Sequence, residues 1–126
     1  MALGLQMKVL AVDFHTKAAD LKINIHDQSV NVKINTVSMD EMLANADAIT
    51  LHIPFTGKPA LGAEEFNKMK DGVIIINAAR GGTIDEDALL AALNSGKVSA
   101  AGLDVFTDEP KPRADCLLYT SPSPRD

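Results

Sequence analysis

Residues 73–76 form an apolar run, Val73-Ile74-Ile75-Ile76, that stops at Asn77-Ala78-Ala79-Arg80-Gly81-Gly82. A helical pattern follows from about Asp85 to Asn94, with Leu89, Leu90 and Leu93 inward and Gly96 past its end as the C-terminal cap. A second apolar run, Val98 to Val105, passes Asp104 before Glu109 and Pro110. Two strand-like runs joined through one helix make a βαβ unit, and the crossover helix forces the strands to lie parallel. In an open α/β sheet, ligands bind outside the carboxyl ends of the strands. Arg80 and Glu109 both fall at that edge, where a guanidinium is well placed to hold a carboxylate.

The same alternation extends toward the amino terminus. Met7 to Val12 is a short apolar run ending at Asp13 and is expected to be a buried strand. His15 to Ser29 is polar and reads as a loop with at most a helical turn. Val30, Val32, Ile34 and Val37 suggest a second strand. Ser38-Met39-Asp40-Glu41 has the spacing of a capping box, and Met39, Met42, Leu43 and Ala46 fall on one helical face. Ala48 to Ile53 is a third strand, stopped by Pro54, and Gly57 and Pro59 mark a loop. Gly62 to Met69 carries acids early and lysines late, as the helix dipole favours. Asp71-Gly72 then turns the chain into the run at Val73. Continuous rather than alternating apolar runs predict a parallel sheet covered on both faces, so the fold class is α/β, doubly wound. No Gly-x-Gly-x-x-Gly is found in the sequence, and no strand precedes Met7. The expectation is a sheet lacking its first strand and its glycine-rich loop, with Met1 an internal methionine of a longer gene.

A chain of 126 residues fits one domain, and 46% apolar residues suffice for a core. The net charge of −5, with no basic block, argues against nucleic acid as the main partner. No apolar run approaches the roughly 20 residues of a membrane helix, and Met1-Ala2-Leu3-Gly4-Leu5 lacks the marks of a secretory signal. A single cysteine, Cys116, excludes an internal disulfide, which leaves the cytoplasm as the default compartment. The segment 114–126, Ala114 to Asp126, has neither helical nor strand period and closes on two Ser-Pro steps. We read it as a non-native tail on a partial domain spanning residues 1–113, the alternative being a natural Ser- and Pro-rich tail.

Taken together, Met7-Lys8-Val9-Leu10-Ala11-Val12-Asp13, Asp47-Ala48-Ile49-Thr50-Leu51-His52-Ile53-Pro54, the stretch Met69 to Asn77, Arg80-Gly81-Gly82 and Glu109-Pro110 resemble the D-isomer-specific 2-hydroxyacid dehydrogenases, in particular the phosphoglycerate-dehydrogenase-like branch. The resemblance implies a partial Rossmann-type NAD-binding domain. The implied reaction moves a hydride between nicotinamide and C2 of a 2-hydroxy or 2-oxo acid. The corepressor relatives on the same fold leave a second reading open, an NAD(H)-sensing regulator, and fold alone does not separate the two. Relatives usually dimerise through this domain, so a homodimer is expected of the full-length protein.

Several residues acquire candidate roles. An acid at the end of a strand, Asp13, suits the adenosine ribose hydroxyls and disfavours a 2′-phosphate; on local grounds alone it is as readily a turn acid. Arg80 can grip a substrate carboxylate with two parallel hydrogen bonds while polarising the neighbouring keto oxygen. A surface arginine near a helix start is the alternative, and the dipole disfavours it. Glu109 follows Arg80 by 29 residues, the separation the resemblance implies for the arginine and the glutamate that pairs with a catalytic histidine. That histidine belongs to a Pro-His pair that the 126 residues do not contain. By the same resemblance His52 and Pro54 lie near the cofactor, the backbone of Ala78 and Ala79 lines its pocket, and Asp104 contacts the nicotinamide amide. His15 and His26 are expected in solvent. No His or Cys pair has metal-ligand spacing, and Cys116, in the suspected tail, is not expected to act as a nucleophile.

Overall fold

The computed structural model describes residues 2–107, so the expectations for Glu109, Pro110 and the 114–126 tail lie outside the described residues. The chain divides into two compact units at Ala44/Asn45.

The first unit opens with a 3-10 turn at Ala2–Leu5. The strand expected over Met7–Val12 does not form. Among the described residues its only ladder contact is a parallel bridge, Ala11 to Thr36, with the Val37 N–H donating to the Ala11 carbonyl at 2.8 Å. An apolar run becomes a strand only where neighbours pair its N–H and C=O groups along its length, and a single bridge does not. The loop expected over His15–Ser29 is also replaced. Strand β1 (Ala18–Ile25) pairs antiparallel with β2 (Gln28–Asn35), from Ala18 opposite Asn35 to Ile25 opposite Gln28. The second strand is therefore half of a hairpin rather than a member of the parallel sheet.

A strict alternation explains the hairpin. The register sets Leu21 opposite Val32 and Ile23 opposite Val30 on one face. On the other face lie Asp20 opposite Lys33 and Asn24 opposite Ser29, whose hydroxyl donates to Asn24 Oδ1 at 2.7 Å. At the turn, His26 takes a left-handed φ of 53°, a conformation in which His is among the tolerated non-glycine residues. Helix α1 (Met39–Asn45) follows as expected: the Ser38 hydroxyl accepts from the Glu41 N–H at 3.1 Å, and Met42 and Leu43 are buried.

The second unit holds the parallel sheet, β3 (Ala48–Leu51), β4 (Val73–Asn77) and β5 (Val98–Leu103) in the order β3–β4–β5. Helices α2 (Ala63–Lys68) and α3 (Glu86–Asn94) make the two crossovers. Consecutive crossovers of one hand along a sheet of that order place both helices on the same face. Burial agrees: Val73, Ile75 and Asn77 of β4 are buried, whereas Ile74 and Ile76 are 42% and 43% exposed. The expectation of cover on both faces is thus not met among the described residues. A four- or five-residue apolar run carries no record of which face its neighbours cover.

Asp85 caps α3, its carboxylate accepting from the Ala88 N–H at 3.0 Å, and Gly96 (φ 79°) ends it, its N–H donating to the Leu93 carbonyl. Leu89 and Ala92 face the core with Leu61, Phe66 and Ile75. Of the expected inward leucines only Leu89 is fully buried; Leu90 and Leu93 are half-buried.

Candidate functional site

Three loops leave the carboxyl edge of the parallel sheet, one after each strand. The centre is the β4 exit. Asn77, the last residue of that strand, is 3% exposed, and its amide ties the loop together. Oδ1 accepts from the Ala79 N–H at 3.1 Å, while Nδ2 donates to the Thr83 hydroxyl at 2.9 Å and toward the Arg80 carbonyl at 3.3 Å. Thr83, 1% exposed, donates its own hydroxyl proton to the Arg80 carbonyl at 2.7 Å. The backbone of Arg80 is thus held from beneath by two buried side chains.

The neighbouring loops lock onto the same turn. From the β3 exit, the Ala60 N–H donates to the Thr83 carbonyl at 2.8 Å, and the Asp85 N–H donates to the Leu61 carbonyl at 2.9 Å. A parallel bridge joins Leu61 to Ile84. The Phe55 ring lies against Gly82, whose φ of 78° favours glycine. From the β5 exit, the Asp104 N–H donates to the Asn77 carbonyl at 2.9 Å. Phe106 then crosses so close to Gly81 that a Cβ there would stand 1.9 Å from the Phe106 carbonyl oxygen. Only glycine allows that approach.

Arg80 stands exposed at the top of this assembly. One guanidinium nitrogen, Nη1, donates to the Ala79 carbonyl at 2.9 Å. A guanidinium has five N–H donors, and the others make no hydrogen bond among the described residues. His52 and Pro54, just past β3, are exposed, and His52 Nε2 lies 3.2 Å from the Thr50 hydroxyl. Ala78 is exposed and Ala79 half-buried, and Asp104 is exposed just past β5. His52, Pro54, Ala78, Ala79, Arg80 and Asp104 therefore share the carboxyl edge of one sheet. Sequence reasoning missed Asn77 and Thr83. The available signal was an amide closing an otherwise aliphatic strand, a position where a buried polar group needs partners.

Asp13 belongs to the first unit. One carboxylate oxygen, Oδ1, accepts from the backbone N–H groups of His15 at 2.7 Å and Thr16 at 2.8 Å. These bonds, that of His15 foremost, hold the carboxyl below its ordinary value of 3.8. Its second oxygen makes no hydrogen bond among the described residues. The side chain borders an open cleft of about 430 Å³, walled by residues 12–17 and 36–39. His15 and His26 are exposed, as expected. No group of three or more His, Cys, Asp or Glu among the described residues is disposed to hold a metal ion. None of the described helices is long and apolar enough to cross a membrane.

Comparison with known proteins agrees with this architecture. The chain is 44% identical over 118 residues to D-3-phosphoglycerate dehydrogenase of Archaeoglobus fulgidus, covering 91% of this chain and 21% of the relative. It is 46% identical over 101 residues to 4-methyl-2-oxopentanoate reductase A of Aspergillus oryzae, covering 75% of this chain and 31% of the relative. The structure is similar to that of D-lactate dehydrogenase of Aquifex aeolicus complexed with NAD and lactic acid, with a TM-score of 0.56 and 47% identity over 58% of this chain and 22% of that one. The chain spans between about a fifth and a third of the length of these relatives. The family model for the D-isomer specific 2-hydroxyacid dehydrogenase NAD-binding domain matches residues 1–123. With a match that runs nearly end to end over a parallel sheet of the right kind, the chain belongs to the D-isomer-specific 2-hydroxyacid dehydrogenase family, as part of its NAD-binding domain.

Proposed function

We propose that the chain is the partial nucleotide-binding domain of an NAD-dependent D-2-hydroxyacid dehydrogenase acting on a small 2-hydroxy or 2-oxo acid. The observation that carries this reading is Arg80: an exposed guanidinium on a backbone held by Asn77 and Thr83, at the sheet edge where ligands bind.

Taken unit by unit, the residues carry chemistry that suits parts of the cofactor. In the first, the second oxygen of Asp13, on a carboxyl whose pKa the His15 and Thr16 N–H groups lower, borders a cleft and suits the hydroxyls of a ribose. The backbone of Ala78 and Ala79, the strand-end residues His52 and Pro54, and the Asp104 carboxylate would hold the nicotinamide half. When bound, NAD supplies or accepts the hydride. Arg80 would grip the substrate carboxylate through two donors and draw charge toward the keto oxygen, which aligns C2 for reaction. Glu109 would stabilise a protonated histidine supplied by the longer protein, and that histidine would give or take the proton at the substrate oxygen.

The 126 residues hold neither that histidine nor a glycine-rich pyrophosphate loop, so the chain by itself is expected to turn over no 2-oxo acid. We expect the full-length protein to be a homodimer. The deciding experiment is oxidation of NADH by the full-length protein with a panel of 2-oxo acids, phosphohydroxypyruvate among them. Turnover supports the dehydrogenase. Tight NADH binding without turnover of any of them would favour an NAD(H)-sensing regulator instead.

A further inference from the structure

We propose that Glu86 is a positioning residue for the reaction, fixing the β5 exit at Phe106 and Thr107 against the loop that carries Arg80. The inference rests on the dehydrogenase reading above.

Glu86 opens α3, directly after the capping Asp85, and its Oε1 accepts from the backbone N–H of Thr107 at 2.6 Å. This is a charge-assisted bond across 21 residues of sequence, between a helix start and the exit of the last strand. Its other oxygen, Oε2, is shut off from solvent and has no hydrogen-bond partner among the described residues. Buried polar atoms rarely go unpaired. A side chain needed only to begin a helix would leave its carboxylate in water, where the dipole alone favours an acid. Here the carboxylate is turned under the β5 exit and held there at the expense of one of its oxygens.

What it holds bears on the site. Phe106, the residue before Thr107, lies directly against Gly81, the residue after Arg80. Glu86 therefore clamps a segment that packs directly against the Arg80 turn. Misplacement by about 1 Å in such a constellation costs on the order of 100-fold in rate, so a clamp at this point has a catalytic consequence without contact to substrate.

The test uses the full-length protein with Glu86→Ala and Glu86→Gln. Glutamine keeps a carbonyl oxygen to accept the Thr107 N–H, whereas alanine removes it. We expect Glu86→Ala to lower kcat about tenfold or more, with KM for NADH within about twofold, because Glu86 bonds Thr107, which is not among the residues assigned to the cofactor. KM for the 2-oxo acid should rise by about threefold or more, because the clamped segment packs against the Arg80 turn. Amide hydrogen exchange at Thr107 should accelerate in Glu86→Ala, and Glu86→Gln should restore both the slow exchange and most of kcat. An active wild-type enzyme whose Glu86→Ala variant keeps its kcat and its KM for the 2-oxo acid would overturn the clamp alone. A kcat loss that Glu86→Gln does not rescue would reduce Glu86 to a structural residue. A wild-type protein that binds NADH but turns over no 2-oxo acid would overturn the reading beneath it as well.

Discussion

The Asn77 side chain donates to the Thr83 hydroxyl at 2.9 Å, and that hydroxyl passes the contact on to the Arg80 carbonyl at 2.7 Å. Both side chains are buried, so the short relay lies where water cannot replace a lost partner. A strand-end amide thereby sets the backbone from which the Arg80 guanidinium rises, with no hydrogen bond between that amide and the guanidinium among the described residues. The site is organised from below.

Removing the relay should therefore cost stability as well as activity. Asn77→Ala leaves Thr83 and the Ala79 N–H short of partners, and a buried group left unpaired costs about 1–3 kcal/mol. Urea denaturation of the full-length protein should show a loss of that size, with Thr83→Val losing a comparable amount. A pair of variants within about 0.5 kcal/mol of wild type would show that the relay adds nothing.

Gly81→Ala should be poorly tolerated. The new Cβ would meet the Phe106 carbonyl oxygen at 1.9 Å and its carbon at 2.6 Å, and backbone cannot swing aside as a side chain can. Overpacking of this kind costs about 1–3 kcal/mol, and here it would also part the Arg80 turn from the β5 exit. We expect a lowered Tm together with reduced kcat/KM. Wild-type values for both would mean that the two loops do not touch in solution.

Arg80→Lys keeps the charge and loses the fork. A single ammonium cannot make two parallel bonds to a carboxylate, so kcat/KM in the full-length enzyme should fall about 100-fold, or about 2.7 kcal/mol. Steady-state kinetics with a 2-oxo acid measures it. Kinetics close to wild type would remove Arg80 as the anchor.

Asp13 makes a pH-dependent contribution whose sign follows from its bonds. The carboxylate accepts two backbone N–H groups, which lowers its folded-state pKa. Its stabilisation of the turn is present above the unfolded value of about 3.9 and is lost as pH falls through the lower folded value. NMR titration should show the carboxyl and the His15 and Thr16 amides shifting together, below the ordinary range. In the full-length enzyme, Asp13→Ala should weaken NAD binding and relax the discrimination against NADP; unchanged cofactor preference would leave Asp13 only as a turn acid.

The isolated chain should self-associate. Among the described residues β3 and β5 are sheet edges, and Ile74 and Ile76 lie more than 40% exposed on the face opposite α2 and α3. Open edges and apolar faces are routes to aggregation. Sedimentation should show species larger than a monomer, and a monomer with a sharp two-state thermal transition would contradict the expectation.

Much of the second unit was legible in the residues alone. The β4 run, the Asp85 and Gly96 boundaries of α3, and the β5 run were expected close to where they lie, because capping chemistry and apolar period are local properties of the chain. The grouping of His52, Pro54, Arg80 and Asp104 at one edge followed from parallel connectivity. Two matters were decided only by tertiary structure. Met7–Val12 has the apolar run of a strand but, among the described residues, only one bridge, since a strand exists through its neighbours' hydrogen bonds and sequence does not say which neighbours are present. The Arg80 loop is shaped by Asn77, Thr83, Gly81 and Phe106. Buried side-chain hydrogen bonds and backbone approaches that leave no room for a Cβ are set by distances in three dimensions, and no period along a chain encodes them.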